Sequence, residues 1–478
     1  MRRLTTIVAL LAVPAGAAWA AMPAQTAPST ADRVAEACAR IDPFVATTLL
    51  GTPADPSAPA IVAFQRSGGA PDGALVLATH GQVGDVYGLA FDPAAAVLYA
   101  AAYHRAGGAF GPGGPGAIYR IDVASGTVAT LAQLAAGADA HASPEAAAMV
   151  GETSLGDIDI AADGSELYVA NLFDGRIHRL ALPGGRAIDT LQNGAAREKW
   201  RADARLFGLG VHDGWLYHGV VNSRVRTDDA LAPFDAFVYR SRPGTAGTEY
   251  VLQADLQYTR TVPWAAAWSD TADGRTDDTP MLVDIAFQPG GEPVLGLRDR
   301  QADMVPSCAW NPAACRAGPS LGDLLPARSR GAGSWTVLTQ PPWYRDTPAD
   351  ELDMTWGALA AVPRLDVMVS VGRADQVRPI GPAAGPAAGP DGSGALAGYW
   401  FDNRSGARVR STSVYAPADG APGLADVAPG DVEALCAPDA RVDPAFGATL
   451  TAEAAAIATA TASAEAVVRA TRVVATRT

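Results

Sequence analysis

Short runs of apolar residues recur along the chain, and each carries glycine or aspartate near its start. Because an alternating or continuous apolar run of this length favours a strand, we expect each to begin one structural repeat. The six runs are Tyr87–Phe91, Gly156–Ile160, Phe207–Val211, Val283–Phe287, Trp356–Ala360 and Gly430–Leu435. Their second residues stand at positions 88, 157, 208, 284, 357 and 431, which gives steps of 69, 51, 76, 73 and 74 residues.

A turn and a second apolar strand follow each of the first five runs. The second strands are predicted at Val97–Ala100, Glu166–Ala170, Gly214–Tyr217, Pro293–Leu297 and Leu365–Val369. The turns contain dipeptides such as Asp163-Gly164 and Asp213-Gly214, whose residue types favour tight hairpins. Third and fourth strands follow, as at Ala117–Asp122 and Thr127–Leu131. Repeated four-stranded units that bury two faces predict an all-β fold, a β-propeller.

The count of repeats predicts a six-bladed β-propeller, with seven blades as the alternative. Five blades are continuous, and the last is closed by both ends of the chain. Its inner strand is predicted at Asp431–Leu435 and its outer strands around Ile61–Phe64 and Ala74–Leu77. The predicted division of the chain is 1–20 signal peptide, 21–59 N-terminal extension, 60–437 propeller, and 438–478 an Ala/Thr-rich tail that is weakly helical or disordered.

The repeats are longer than the ~40–50 residues of a typical blade, so long loops must lie between strands. Such loops concentrate either function or disorder. The predicted insertions are Phe110–Gly116, Ala135–Gly151, Leu256–Pro280, Asp303–Leu321 and the Gly/Pro/Ala-rich run Gly381–Gly394.

Composition supports a compact β protein and excludes two classes. The chain has 478 residues, 50 of them Gly and 36 Pro, with 49% hydrophobic and 18% charged residues. This apolar content excludes a disordered chain, and the Gly and Pro content argues against a helical bundle. The net charge of −14 excludes a nucleic-acid partner, which requires a basic surface.

The first residues predict export. Met1-Arg2-Arg3 is a basic start, Leu4–Ala18 is apolar, and Ala18-Trp19-Ala20 fits a signal-peptidase site, with cleavage expected after Ala20. No other stretch reaches the roughly 18 apolar residues of a membrane span, so none is expected in the mature chain. The protein is therefore expected outside the cell, at its surface or in the periplasm.

Four cysteines suit an exported chain with two disulfides, which could form three pairings. Cys308 and Cys315 are close enough in sequence to pair locally, which leaves Cys38 with Cys436 to join the two ends. A metal site is the alternative, although neither pair has a two-residue spacer or a neighbouring histidine.

Glycine and aspartate alternate at the starts of the predicted inner strands, which places Asp157, Asp284 and Asp431 in every second blade. Three carboxylates around one axis would repel one another, and would either raise their pKa values or bind a cation. Oxygen ligands alone favour Ca²⁺ or Mg²⁺. In the alternative interpretation, each aspartate accepts backbone N–H groups of the neighbouring blade and links the two blades.

Polar residues at the ends of the second strands form a predicted ligand-binding rim on the axial face. They are His104, Asn171, Asn222, Arg298, Asp299, Arg300, Arg373 and Asp375. Arginine would orient an anionic or polar ligand through paired hydrogen bonds, whereas the alternative is an Arg–Asp ladder between blades. An acidic loop contains Asp270, Asp273, Asp277 and Asp278, and it either wraps calcium or is simply solvated. The motifs of serine hydrolases, zinc proteases and nucleotide-binding enzymes are absent from the sequence, so we assign no catalytic residue.

Several of these segments together resemble a known family. They are Val86–Pro93, Phe110–Tyr119, Leu155–Ile160, Leu295–Arg300 and Gly430–Cys436. They look like the propeller region of exported bacterial surface proteins, in which this region precedes serine-aspartate-repeat B-like domains. Tyr168–Asn171 is also similar to YVTN-type surface-layer propellers. The resemblance implies a propeller in the cell envelope.

These observations lead to three functional hypotheses. The first is a binding module for a protein or glycan of the cell envelope, which acts through the face with long loops. The alternative is a calcium-dependent lactonase or ester hydrolase, resembling gluconolactonase propellers, with an axial metal held by Asp157, Asp284 and Asp431. The third is a structural scaffold.

Overall fold

The structure, a computed structural model, describes residues 28–437 apart from 54, 69–74, 227–232, 261–262, 271–278, 306–321, 332–333, 340–343, 345–354, 374–395 and 416–423. In these residues the chain forms six four-stranded antiparallel sheets. The inner strand of each sheet contacts the inner strand of the next sheet around the ring. The inner strand of the sixth sheet contacts that of the first sheet in the same way, so the ring is closed. The predicted six-bladed β-propeller is confirmed.

Five blades are continuous in sequence. Blade 1 comprises β4 (Val86–Asp92), β5 (Val97–Ala102), β6 (Ala117–Asp122) and β7 (Thr127–Gln133), and blade 2 comprises β8 (Leu155–Ile160), β9 (Glu166–Asn171), β10 (Arg176–Ala181) and β11 (Arg186–Gln192). Blade 3 comprises β12 (Ala204–His212), β13 (Trp215–Asn222), β14 (Asp235–Ser241) and β15 (Thr248–Asp255). Blade 4 comprises β16 (Pro280–Phe287), β17 (Pro293–Asp299), β18 (Asp323–Gly331) and β19 (Ser334–Val337), and blade 5 comprises β20 (Thr355–Ala361), β21 (Val367–Arg373), β22 (Leu396–Asp402) and β23 (Arg408–Tyr415).

Blade 6 joins the two ends of the described chain. Its strand order is β24 (Leu424–Ala434), β1 (Phe44–Pro53), β2 (Pro59–Gln65) and β3 (Leu75–Thr79). The predicted inner strand and both predicted outer strands are present, but β1 lies between them, so the propeller begins before the predicted boundary at residue 60. Strand β1 was not predicted from the sequence because the polar residues Thr47 and Thr48 occupy two of its interior positions. Thr47 Oγ1 donates to the Asp431 carbonyl at 2.8 Å, and Thr48 Oγ1 accepts from the Asp431 N–H at 3.1 Å.

Helices are few in the described chain. They are α1 (Thr30–Ala39), α2 (His80–Val83) and α3 (Gln301–Met304), with 3₁₀ turns at Ala195–Arg197 and Arg201–Asp203. Ser29 and Asp32 form a capping box at the start of α1. A disulfide joins Cys38 of α1 to Cys436, directly after β24, with the Cα atoms 5.4 Å apart. Among the described helices, none has the length and apolar character needed to cross a bilayer.

Burial follows the position of a strand in its blade. Every residue of β4 and β5 is buried, because both faces of a blade pack against neighbouring blades near the axis. The outermost β11 is mostly exposed. Asp213 and Gly214 both have positive φ, 50° and 72°, as a two-residue hairpin of the predicted kind requires.

Several sequence predictions fall outside the described residues. They are the signal peptide 1–20, the pair Cys308 and Cys315, the acidic positions Asp273, Asp277 and Asp278, the rim residue Asp375, the run Gly381–Gly394 and the tail 438–478. Arg373 ends β21, and its side chain is likewise outside the description.

Candidate functional site

Strand order gives the propeller two unlike faces. Consecutive strands are antiparallel, so connections from second to third strands and from blade to blade emerge on one face. We call this the loop face, and it carries the long connections 103–116 and 134–154. The opposite face, here the turn face, carries short hairpins such as 93–96.

The three predicted axial aspartates link neighbouring blades. Asp157 Oδ2 accepts a hydrogen bond from the N–H of Leu209, in the next blade, at 2.7 Å. The carboxylates of the other two accept in the same way across their own blade boundaries: Asp284 from Leu359 N–H at 2.8 Å, and Asp431 from Leu89 N–H at 2.7 Å. This is the blade-linking arrangement that the sequence analysis set against a metal site.

A second level of carboxylates repeats the arrangement two residues further along the strands. Asp159 accepts from Val211 N–H at 2.5 Å, and Glu433 accepts from Phe91 N–H at 3.1 Å. Neither residue was among those predicted from the sequence. The available signal was their spacing of two from Asp157 and Asp431, which places both acids on one face of a strand.

Burial in this cluster strongly favours the protonated carboxyl groups. It raises the pKa of Asp431 to about 7 and that of Asp159 to about 6. Burial, followed by the charges of the neighbouring carboxylates, raises the pKa of Asp157 and Asp284 well above its usual range. Among the residues that the structure describes, no group of three or more His, Cys, Asp and Glu side chains is arranged to hold a metal ion.

Aromatic residues fill the axis in the three blades that lack an axial aspartate. Each stands directly before the glycine of its inner strand: Tyr87, Phe207 and Trp356. The Tyr87 and Phe207 rings are 4.9 Å apart, and Tyr103 lies 5.4 Å from the first and 5.6 Å from the second. These edge-on contacts close the axis with apolar surface.

The glycines behind these aromatics allow the inner strands to approach one another. A Cβ on Gly88 would lie 2.5 Å from Ile158 N, and one on Gly208 would lie 2.6 Å from Asp284 N. The predicted alternation of glycine and aspartate therefore has a physical cause. Glycine leaves room for the strand of the next blade, and aspartate accepts a hydrogen bond from it.

Arg298 and Asp303 close the loop-face end of the axis. The Arg298 guanidinium donates two hydrogen bonds of 2.7 Å to the Asp303 carboxylate and one of 2.8 Å to the Pro429 carbonyl. Tyr103 OH donates to Asp303 at 2.9 Å. Arg298 and Asp303 are both fully buried, so this ion pair joins blades 1, 4 and 6.

Arg300 anchors two long loops. It is fully buried and donates to the carbonyls of Val150 at 2.8 Å, Ala148 at 2.7 Å and Ser269 at 2.6 Å. Asp270, from the predicted acidic loop, lies 3.4 Å from the same guanidinium. The guanidinium therefore contacts loop backbone and one carboxylate and does not face solvent.

Three further members of the rim are buried and bond to backbone. Asp299 accepts from Thr279 N–H at 2.7 Å. Asn171 and Asn222 donate to the carbonyls of residues 135 and 233 at 3.0 and 2.7 Å. These side chains hold the loop connections in place.

His104 was also predicted as a rim residue, and the structure brings it together with a histidine that the sequence analysis did not single out. The rings of His104 and His141 have centroids 4.5 Å apart. His104 is fully buried, and burial lowers its pKa. Because 37 positions separate the two in the chain, spacing gave no signal of the pair.

A polar pocket of about 380 Å³ lies on the turn face, between blades 4 and 5. Its walls come from three hairpin connections and from β18: Gln288, Pro289, Gly290, Glu292, Pro326, Ala327, Arg328, Ser329, Asp366, Asn403 and Arg404. Arg404 Nε donates to Asp366 at 2.6 Å across its rim. None of these residues was predicted from the sequence as part of a site.

Behind this pocket, a chain of hydrogen bonds fixes the Asn403 amide. Gln288 Nε2 donates to Tyr344 OH at 2.7 Å, and Tyr344 OH donates to Asn403 Oδ1 at 2.9 Å. Asn403 is only 5% exposed, and its Nδ2 has no hydrogen-bond partner in the described part of the chain.

Six antiparallel blades around an axis filled with carboxylates and aromatics define the class of this protein, a six-bladed β-propeller. No protein-family model matches the chain. Its sequence is similar to colossins of Dictyostelium discoideum. Colossin-C is 24% identical over a stretch that covers 48% of this chain and 25% of colossin-C. Colossin-A is 25% identical over 51% of this chain and 2% of colossin-A. The match to colossin-D is 27% identical over 48% and 26% of the two chains, so this chain spans about a quarter or less of each colossin.

Solved structures with a similar fold include that of a nidogen/laminin complex. Its TM-score is 0.44, and the sequences are 10% identical over 82% of this chain and 98% of that one. The periplasmic gluconolactonase of Pseudomonas aeruginosa has a TM-score of 0.40 and 13% identity over 82% and 99% of the two chains. Both TM-scores lie below 0.5, so neither likeness bears on function.

Proposed function

We propose that this chain is an exported β-propeller that binds a glycan of the cell envelope in the pocket between blades 4 and 5. The observation that carries the proposal is the Asn403 amide, which is buried, lines the pocket and has an unpartnered Nδ2 in the described structure. Since buried polar groups are almost always hydrogen-bonded, we take a ligand oxygen to be the missing partner of this donor.

The other groups of the pocket suit a polyhydroxylated ligand. Glu292 and Asp366 accept hydrogen bonds from hydroxyl groups, while Arg404 donates to ring or hydroxyl oxygens. Pro289 and Pro326 add apolar surface. A volume of about 380 Å³ falls within the ~300–1,000 Å³ of small-molecule sites and accommodates one or two sugar units.

The Cys38–Cys436 disulfide supports the envelope as the location of this ligand. Disulfides persist in exported proteins and are rare in the reducing cytosol, which agrees with the predicted signal peptide. Binding of a protein through the loop face stays a prediction from the sequence.

A glycan array followed by calorimetry with the best oligosaccharide tests the proposal. The purified chain without residues 1–20 is expected to bind a defined set of envelope sugars. Asn403→Asp keeps the oxygen that Tyr344 contacts but removes the unpartnered donor, so we expect affinity to fall at least tenfold. Glu292→Gln tests the pocket independently, because it replaces one acceptor oxygen on a different connection by an N–H₂ donor and removes the negative charge.

Asn193→Asp is the matched control, since it makes the same chemical change in another connection and keeps the oxygen that accepts from Ala195 N–H at 3.0 Å. Its affinity should equal that of the parent protein. Binding that is indifferent to both pocket substitutions, or a protein that binds no sugar but hydrolyses a lactone or ester, contradicts the proposal.

A further inference from the structure

The His104–His141 pair lies between two long connections of the loop face. His104 belongs to connection 103–116 within blade 1, and His141 to connection 134–154 between blades 1 and 2. Phe110 packs over both imidazoles, with its ring centroid 4.6 Å from that of His141 and 6.0 Å from that of His104. The rings therefore meet in an apolar setting at the base of two loops.

Hydrogen bonds fix which nitrogen of each ring carries the proton. His104 Nε2 lies 2.8 Å from the Ala146 carbonyl, and His141 Nδ1 lies 2.7 Å from the Asp139 carboxylate. Both partners can only accept, so these two nitrogens are the donors. In the neutral imidazoles, the lone pairs are then on His104 Nδ1 and His141 Nε2.

Neither lone pair has a partner. His104 Nδ1 and His141 Nε2 are shielded from solvent, and no hydrogen-bond donor reaches either of them among the described residues. Two buried acceptors left without donors, on rings whose centroids are 4.5 Å apart, require an explanation, and a cation is one partner that an imidazole lone pair accepts.

The contacts on the far side of each ring are those of metal-binding histidines. Such histidines characteristically donate their other N–H to a carboxylate or a backbone carbonyl, which fixes the ring and makes the ligating nitrogen more basic. His141 has the carboxylate of Asp139, and His104 has the carbonyl of Ala146.

We propose that His104 Nδ1 and His141 Nε2 together bind one transition-metal cation of the Zn²⁺ or Cu²⁺ class. Imidazole nitrogen suits these cations better than it suits Ca²⁺ or Mg²⁺. No third His, Cys, Asp or Glu of the described chain completes a metal cluster here, so the two imidazoles are the side-chain ligands that we assign. The cation would join the two connections of the loop face.

Titration of the tag-free mature chain with Cu²⁺ tests the site, with electron paramagnetic resonance used to count the nitrogen ligands. We expect one equivalent of Cu²⁺ with hyperfine coupling to two imidazole nitrogens, and competition for it by Zn²⁺. His141→Ala should weaken binding at least tenfold and remove the coupling to one nitrogen. Its side chain is only 13% exposed, so a circular dichroism spectrum is needed to show that the variant is folded.

His178→Ala is the matched control, because His178 also contacts a carboxylate, that of Asp174 at 2.8 Å. It should leave Cu²⁺ affinity and the spectrum unchanged. Three results would overturn the proposal: no binding of Cu²⁺ or Zn²⁺, a spectrum without two imidazole nitrogens, or equal affinity in the folded His141→Ala protein.

Discussion

Asp157 links two blades through hydrogen bonds from main-chain N–H groups. Asp157 accepts from Leu209 N–H in the next blade and from Ile158 N–H in its own strand, at 2.7 and 2.8 Å. The sequence showed this residue and its two equivalents through their alternation with glycine. The sequence did not show whether the partner of these carboxylates is a cation or a backbone N–H. A backbone N–H leaves no mark in the sequence, because it is a main-chain group that any residue supplies.

Replacement of Asp157 by alanine tests its role as a link between blades. Two buried N–H groups would lose their acceptor, at a cost of about 1–3 kcal/mol each. Asp157→Asn keeps one acceptor oxygen and should be clearly less destabilising. Urea unfolding of both variants measures the difference. Asp163→Ala, in an exposed hairpin, serves as the control, and an Asp157→Ala protein as stable as this control would show that the carboxylate does not link the blades.

The buried carboxyl groups also predict a dependence of stability on pH. The pKa of Asp159 rises from 3.8 to about 6 on folding, so the folded protein holds a proton that the unfolded chain has released. This contribution to the free energy of unfolding is complete below pH 4 and is lost as pH rises through 6. Buried His80 and His218, whose pKa is lowered to about 4, act in the opposite direction, so a comparison of variants is needed.

Asp159→Asn isolates this carboxyl group, because asparagine is neutral at every pH. The stability of the parent protein relative to this variant should fall between pH 4.5 and 7.5, as measured by chemical unfolding at several pH values. A difference that stays constant across this range would mean that Asp159 is ionised in the folded protein.

At the scale of elements, strand periodicity and turn chemistry predicted most of the blades. Inner strands such as β4 were found because blade packing buries both of their faces, which leaves a continuous apolar run. Strand β1 was missed because Thr47 and Thr48 satisfy their hydroxyls on the backbone of Asp431, a contact across the whole chain length. The pocket between blades 4 and 5 was missed for a related reason: its residues come from three separate hairpins, each of which resembles an ordinary turn.

The disulfide between α1 and the end of β24 should contribute measurably to the closure of blade 6. It spans 398 residues, and removal of a native disulfide typically costs about 2–5 kcal/mol, chiefly by freeing the unfolded chain. The double variant Cys38→Ser, Cys436→Ser avoids a free thiol. It should lower the free energy of unfolding by about 2–5 kcal/mol, which appears as a lower urea midpoint. An unchanged midpoint under non-reducing conditions would contradict this expectation.

At the scale of the whole molecule, two kinds of blade alternate around the ring. Blades 2, 4 and 6 present a carboxylate to the axis, while blades 1, 3 and 5 present an aromatic residue followed by glycine. Such an alternation closes without a mismatch only when the number of blades is even. A ring of six blades meets this condition, whereas the seven-bladed alternative would place two blades of the same kind side by side.

The Cys38–Cys436 bridge also has a mechanical consequence. The described chain enters the ring at α1 and leaves it after β24, and the bridge holds these two points with Cα atoms 5.4 Å apart. Tension on the chain outside the two cysteines therefore passes from one sulfur to the other. The hydrogen bonds between β24 and β1 carry little of it, so an opposing pull on the two sides should leave the propeller folded while the bridge is intact.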